Sequence, residues 1–254
     1  MPETLLDTVE DGVARITWTD ELTARGWQAA VDVVRREVAN ALVDHDRVEA
    51  KVAADDTDGQ RIATWSGLRR EGVQRGTHSN VVVYARLAGD TPVNEPGGFR
   101  ALLNAFLPRK RAISQMLIRD TSAEPRVLLC ELTYKADWDL PGGVVEVGES
   151  PHVAVAREVA EELALEIDTG ALLLTDWLPP WSGWDDALCL VFDGGAHPPE
   201  LVDRIVKQQR EIASAAFCTL GEVEERAAPF TARRVRSALA NLAGGGPSYT
   251  ESGR

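Results

Sequence analysis

Glu158, Glu161 and Glu162 fall within one turn of a segment whose apolar residues recur at helical spacing. Glu158 and Glu162 stand at i and i+4, and Glu158 and Glu161 at i and i+3, so their side chains lie beside one another on a helix surface. Like charges placed this way cost a helix roughly 0.2–0.5 kcal/mol per pair. One reading is an ordinary solvated acidic face. The other is a set of hard oxygen ligands, since Mg²⁺ takes one or two carboxylates together with substrate phosphates. Spacing alone does not choose between them.

The element that must carry these residues is well marked. Ser150 is a good N-cap and Pro151 a good first helical residue, because its missing N–H would have had no partner there. From that start Val153, Ala156, Val159, Ala160 and Leu163 are predicted to form the apolar face, with the glutamates on the opposite, free face. Ala164 stands where many helices end on a left-handed Gly. An Ala held there costs about 1 kcal/mol, so the helix is expected to run on toward Glu166 and to end near Asp168, Thr169 and Gly170.

The wider spacing is more specific. Gly143, five residues, Glu149, seven residues, then Arg157-Glu158-Val159, one residue, Glu161-Glu162, one residue, Ala164-Leu165 resembles the Nudix box, G-x5-E-x7-R-E-U-x-E-E-x-G-U with U apolar. Eight of its nine fixed positions match, Ala164 being the departure. The resemblance extends over roughly 109–242, where "TYKADWDLPGGVVE" is similar to the strand leading into the box and "AAFCTLGEV" to a late strand and turn. It implies an α/β/α sandwich with a mixed sheet, and hydrolysis of the pyrophosphate bond of a nucleoside diphosphate linked to another moiety. Mg²⁺ or Mn²⁺ is the implied cofactor. Glu158, Glu162 and the Gly143 carbonyl are the implied ligands, with Glu161 as a further ligand or the group that orients the attacking water. Arg157 would tie Glu149 and the loop to the helix, as a guanidinium forks onto a carboxylate, and Glu146 would stand behind the ligands near the substrate.

A general base outside the box is also implied. Glu211 in "QQREIASAAFCTL" is the leading candidate and Asp185 and Asp186 the weaker ones. Trp181 and Trp184, with Trp177 nearby, are candidates to stack on the base, a contact worth roughly 1–3 kcal/mol. Trp138 is expected to pack at the sheet. An inert nucleotide-sensing module is the alternative, set against by the retention of every box carboxylate; a bifunctional acetyltransferase and hydrolase is another.

The net charge of −13 argues against binding duplex nucleic acid, whose affinity comes largely from Lys and Arg displacing counterions. A phosphorylated substrate on so acidic a chain calls for a cation at the site. No apolar run reaches about 18 residues, so no membrane span is expected, and the acidic start "MPETLLDTVEDG" does not read as a signal peptide. A cytoplasmic protein is expected. Cys130, Cys189 and Cys218 are far apart and read as buried thiols. The resemblance allows a homodimer.

Four segments are expected: a small α/β domain over 12–90, a linker over 91–108 rich in Pro and Gly, the Nudix domain over 109–243, and a disordered polar tail over 244–254. The first reads as β, α, short β, α, β, β, and "ELTARGWQAAVDVV", "DRVEAKVAADDTDGQRIATWSGLRREGVQRG" and "VVVYARLAGD" resemble the C-terminal half of a GNAT N-acetyltransferase. That family grips a pyrophosphate with backbone N–H groups at a helix N-terminus. Here only Arg25 and Gly26 stand out, and no room is left before Val13 for the family's first strands. The resemblance thus implies a truncated, non-catalytic unit.

Overall fold

A computed structural model describes residues 3–124, 126–244 and 248–254. The chain forms two compact units, Met1–Pro108 and Arg109–Arg254.

In the first unit, strands β1 (Thr4–Glu10) and β2 (Val13–Trp18) precede helices α1 (Asp20–Ala24) and α2 (Trp27–Ala41). Strand β3 (Arg47–Ala53), helix α3 (Thr57–Trp65), and strands β4 (Arg69–Gln74) and β5 (Val81–Leu87) follow, then helix α4 (Pro96–Phe106). The sheet order is β1-β2-β3-β5-β4, parallel only between β2 and β3. Its core comes from alternate strand positions, Ala14 and Ile16, Val48 and Ala50, Val82 and Tyr84, packed on Val34 and Val38 of α2 and Ile62 of α3.

Two expectations for this unit change. β1 lies ahead of the predicted start of the domain; Leu5, Leu6 and Val9 are exposed, so no apolar alternation marks it, and the ladder to β2 holds it. The segment expected as a linker contains α4, begun by Pro96, with Leu102 buried and Phe106 edge-on to Trp65 at 6.0 Å. Glycine conceals this helix in the sequence: a Cβ at Gly98 would fall 1.9 Å from the Pro92 carbonyl oxygen.

The second unit runs β6 (Arg111–Asp120), β7 (Val127–Leu132), β8 (Gly142–Val144), α5 (Pro151–Leu163), β9 (Leu172–Leu178), β10 (Ala187–His197), a 3-10 turn (Pro199–Arg204), β11 (Ile212–Cys218), α6 (Leu220–Arg226), α7 (Pro229–Leu242) and β12 (Tyr249–Glu251). The strand order is β11-β7-β6-β10-β9-β12, with β8 paired to β6. The pairs β6–β10 and β9–β12 are parallel, the rest antiparallel.

Strand periodicity sends β6 and β7 side chains to both faces. Met116, Ile118, Leu128 and Cys130 meet Val155, Val159 and Leu163 of α5, while Leu117, Val127 and Leu129 meet Ala232, Val235 and Ala238 of α7. Burying such aliphatic side chains is worth about 1.5–3 kcal/mol each. A mixed sheet between helices on its two faces results. The expected tail is also partly ordered: β12 lies along β9, where the Thr250 hydroxyl and the Gly253 amide each donate to Asp176 at 2.8 Å. Residues 245–247 of that tail lie outside the described residues. Among the described residues no helix is long and apolar enough to cross a membrane.

Candidate active site

Helix α5 starts at Ser150, whose hydroxyl accepts from the Val153 amide, with Pro151 in its first turn. Its buried stripe is Ala154, Val155, Val159, Glu162 and Leu163. The stripe is rotated from the predicted one: Val153 is 56% exposed, while Glu162 is 5% exposed rather than on a free face. The helix ends at Leu163, and Ala164 adopts the left-handed conformation at φ 54°, ψ 34°. The predicted extension to Gly170 fails because Leu165 and Ile167 enter the core. The carbonyls of Glu162 and Leu163 accept from the Gln208 and Val206 amides, long-range bonds that offset the local strain.

Two carboxylates converge on the strand β8. The Gly142 amide donates to Glu162 Oε2 at 3.0 Å. A Cβ at Gly143 would lie 2.5 Å from the Glu158 carboxyl carbon, so only glycine lets that carboxylate rest against the strand. Burial, opposed by the Gly142 N–H and reinforced by Glu158, Glu211 and Asp139, pushes the Glu162 carboxyl up to about 8. Glu158 is also raised, by burial first, against the pull of Arg157. Two desolvated carboxylates side by side beside a bare backbone form a cradle whose charge suits a divalent cation. Among the described residues no three His, Cys, Asp or Glu side chains form a ready-made metal cluster.

Arg157 clamps the loop. Its Nε and Nη2 donate to the two oxygens of Glu149 at 2.9 and 3.0 Å, and Nη1 lies 3.0 Å from Glu161 and 3.1 Å from Glu158. These hydrogen bonds hold Glu149 below the ordinary carboxylate range. Glu161 thus faces Arg157 on the exposed side rather than joining Glu162. Glu211 is exposed at the approach to β11, near enough to raise both Glu158 and Glu162. Glu146 is exposed and does not line the cavity described next.

A cavity of about 320 Å³ opens beside Gly142 and Gly143. Its rim carries Trp181 and Trp184, 56% and 57% exposed. Their backbones exchange two hydrogen bonds across Ser182 and Gly183, both at positive φ. Trp181 meets Phe230 edge-on at 5.8 Å, and the Arg111 guanidinium sits 4.8 Å over the Trp184 ring. Asp185 also lines the cavity, whereas Asp186 pairs with Lys110, which holds its carboxyl low, and receives the Trp177 indole N–H at 3.5 Å. Trp138 packs outside it under Arg226. The three cysteines are buried; burial raises Cys189, a residue of the cavity lining, to about 11.

The buried wall is made by residues not singled out from the sequence: Gln115, Asp139 and Arg234. Arg234 left one signal. It falls on the face of α7 shared by Thr231, Val235 and Ala238, and a charged residue on a buried stripe needs partners.

The NUDIX domain model matches residues 108–239, just over half of the chain. The chain belongs to the NUDIX family of hydrolases. A MutT-like protein of Streptomyces ambofaciens is 33% identical over 61 residues, which are 24% of this chain and 38% of that protein. A putative 8-oxo-dGTP diphosphatase 2 of Mycobacterium tuberculosis is 60% identical over 30 residues, 12% of this chain and 21% of that protein. The match thus spans well under half the length of these curated relatives. Among solved structures, the MutT protein of Methanosarcina mazei Go1 is 20% identical over 54% of this chain and 98% of its own, with TM-score 0.45. The NUDIX domain of Shewanella oneidensis NrtR, complexed with ADP ribose, is 16% identical over 54% and 90%, with TM-score 0.46.

Proposed function

We propose that the second unit hydrolyses the pyrophosphate bond of a nucleoside diphosphate linked to another moiety, with Mg²⁺ or Mn²⁺ as cofactor. The observation that carries this reading is continuity: the cavity wall includes Gly142 and Gly143, the two residues against which Glu162 and Glu158 rest. Glu158, Glu162 and the Gly143 carbonyl would hold the cation. When bound, it supplies charge neutralisation at the phosphate oxygens and lowers the pKa of a bound water.

The chain's own residues supply the rest. Arg157 and Glu149 brace the loop, and Arg157 orients Glu161 toward the exposed side of the carboxylate pair. Glu211 is the proton acceptor for the attacking water, free of any ion pair within 4 Å among the described residues and close enough to feel both ligands. Trp181 and Trp184 offer stacking surface at the rim. Retention of every box carboxylate weighs against an inert sensor. For the first unit the proposal is a non-catalytic module: α2 opens at the single Gly26, with no side-chain cap, and Arg25 is paired to Glu3 rather than available to a pyrophosphate.

The test is a screen of nucleoside diphosphate derivatives with Mg²⁺ or Mn²⁺, following released phosphate or nucleotide. Turnover that requires the metal is expected; none across the panel refutes the hydrolase reading. Acetyl-CoA turnover by the purified chain would refute the inert first unit.

A further inference from the structure

The loop that joins β9 to β10 carries a short hairpin at its tip. Trp181 and Trp184 exchange two backbone hydrogen bonds, at 3.1 and 2.9 Å, across Ser182 and Gly183, whose φ values are 49° and 86°. Two central residues at positive φ are the pattern of a two-residue hairpin turn, and residues directly opposite in such a pair share a face. The tip therefore presents both indoles on one face, at the rim of the cavity. Each indole has its own brace. Trp181 rests edge-on against Phe230. Trp184 is held by Arg111, the first residue of β6: the guanidinium lies 4.8 Å over the ring, and its Nη2 donates to the carbonyl oxygen of the next residue, Asp185, at 3.0 Å. The parallel register explains the reach, since Arg111 stands beside Ala187, where the loop re-enters the sheet. Lys110 pairs with Asp186 in the same loop.

Arg111 lines the cavity, and on an acidic chain a cation there can serve either end of a nucleotide. A free guanidinium would meet the phosphates. This one is committed to the loop: it lies on the Trp184 ring, Nη2 is engaged, and Nε is buried. It covers one side of the ring, while Trp184 remains 57% exposed to a second planar group. A nucleobase suits that surface, because every base has a π face. Resting on the nucleotide reading of this site, we propose that Arg111 is a positioning residue for base binding: it fixes Trp184 as the stacking surface, and acts on the base through that ring rather than on the phosphates. An indole already braced loses less rotamer freedom when the base arrives.

The experiment measures Kd by calorimetry, with Mg²⁺ and the whole chain, for the α,β-methylene analogues of ADP and GDP and for methylenediphosphonate, which keeps the diphosphate and lacks the base. Arg111→Met should weaken both nucleotide analogues about tenfold, having lost a cation–π contact and a hydrogen bond, and leave methylenediphosphonate within about twofold. Trp184→Ala should weaken the analogues about ten- to a hundredfold. Arg111→Met added to it should change them by less than about twofold more, because residues that act through one contact are not additive. Arg111→Lys keeps a cation over the ring without the fork to the Asp185 carbonyl, and should weaken the analogues only about two- to threefold; it carries the same comparison where Arg111→Met folds poorly. With the substrate found by the metal screen, Arg111→Met should raise KM while kcat holds. Equal weakening of all three ligands by Arg111→Met, an additive loss in the double variant, no effect on any ligand, or no nucleotide binding by the wild type overturns the assignment. Base-selective loss of affinity in a chain that turns over nothing refutes the hydrolase reading and supports this one; metal-dependent turnover whose KM ignores Arg111→Met does the reverse.

Discussion

Glu158 and Glu162 are both raised, by burial first and by neighbouring carboxylates, Glu161 and Glu211 for Glu158 and Glu158, Glu211 and Asp139 for Glu162; among the described residues Glu162 meets only a backbone N–H, and Glu158 shares one guanidinium with two other glutamates. Asp176, Asp139 and Asp120, in the same unit, have full sets of donors. Asp176 takes Arg234, Thr250 and Gly253. Asp139 takes Lys135, Gln115 and the Leu140 amide, and although burial opposes it, Lys135 and Arg234 hold its carboxyl below the usual value. The difference teaches where a ligand belongs. A carboxylate whose charge is met within the fold is a structural element, while a desolvated pair left short of positive charge is unstable until something cationic arrives.

Four substitutions probe that contrast. Glu162→Gln should abolish hydrolysis of whatever substrate the screen identifies, while thermal unfolding without metal is not lowered, because the change relieves like-charge repulsion; full activity would break the contrast at its open side. Asp176→Ala strands the buried Arg234 and should destabilise by about 3–5 kcal/mol, read as a lower Tm and urea midpoint. A shift under about 1 kcal/mol would mean that this cluster is not structural.

Asp120→Asn is the smaller version. Burial pushes the Asp120 carboxyl up, but the Arg126 amide and guanidinium and the Ser122 hydroxyl and amide outweigh it and hold it below 3.8. A carboxyl depressed in the folded state contributes stability above its unfolded value, lost as pH falls through the folded value. The variant should therefore cost about 1–3 kcal/mol at pH 7, and the gap from wild type should close as pH drops below about 3.8. A gap independent of pH would refute this. Smallest is Ala164→Gly, which relieves a left-handed Ala after the last box carboxylate and should stabilise by about 1 kcal/mol, with kcat unchanged. A loss of stability would show that Ala164 is not strained.

Legibility differed sharply between residues. The adjacency of Glu158 and Glu162 follows from their spacing on one helix, the tie of Arg157 to Glu149 is implied by the resemblance of the box, and the structure has Arg157 donating to both Glu149 oxygens. The buried wall was not legible: Gln115, Asp139 and Arg234 come from β6, the loop before β8 and α7, and Arg234 and Gln115 meet across 119 residues of chain. β1 and β12 were missed because strands held by main-chain pairing or by one buried aspartate need no apolar alternation. The helix phase was misjudged because Glu162, a charged residue, lies in the buried stripe.

Local periodicity and spacing alone determined that a capped helix carries three crowded glutamates behind a glycine turn, and that apolar strands surround it. Those features depend on residues a few positions apart, where covalent geometry dictates proximity. Only the tertiary structure decided which glutamates are desolvated, where the helix stops, and which residues of β6, the loop before β8 and α7 meet in the cavity wall. Each of these depends on partners far along the chain, and a hydrogen bond or a buried charge acquires its energy only from what folding places beside it.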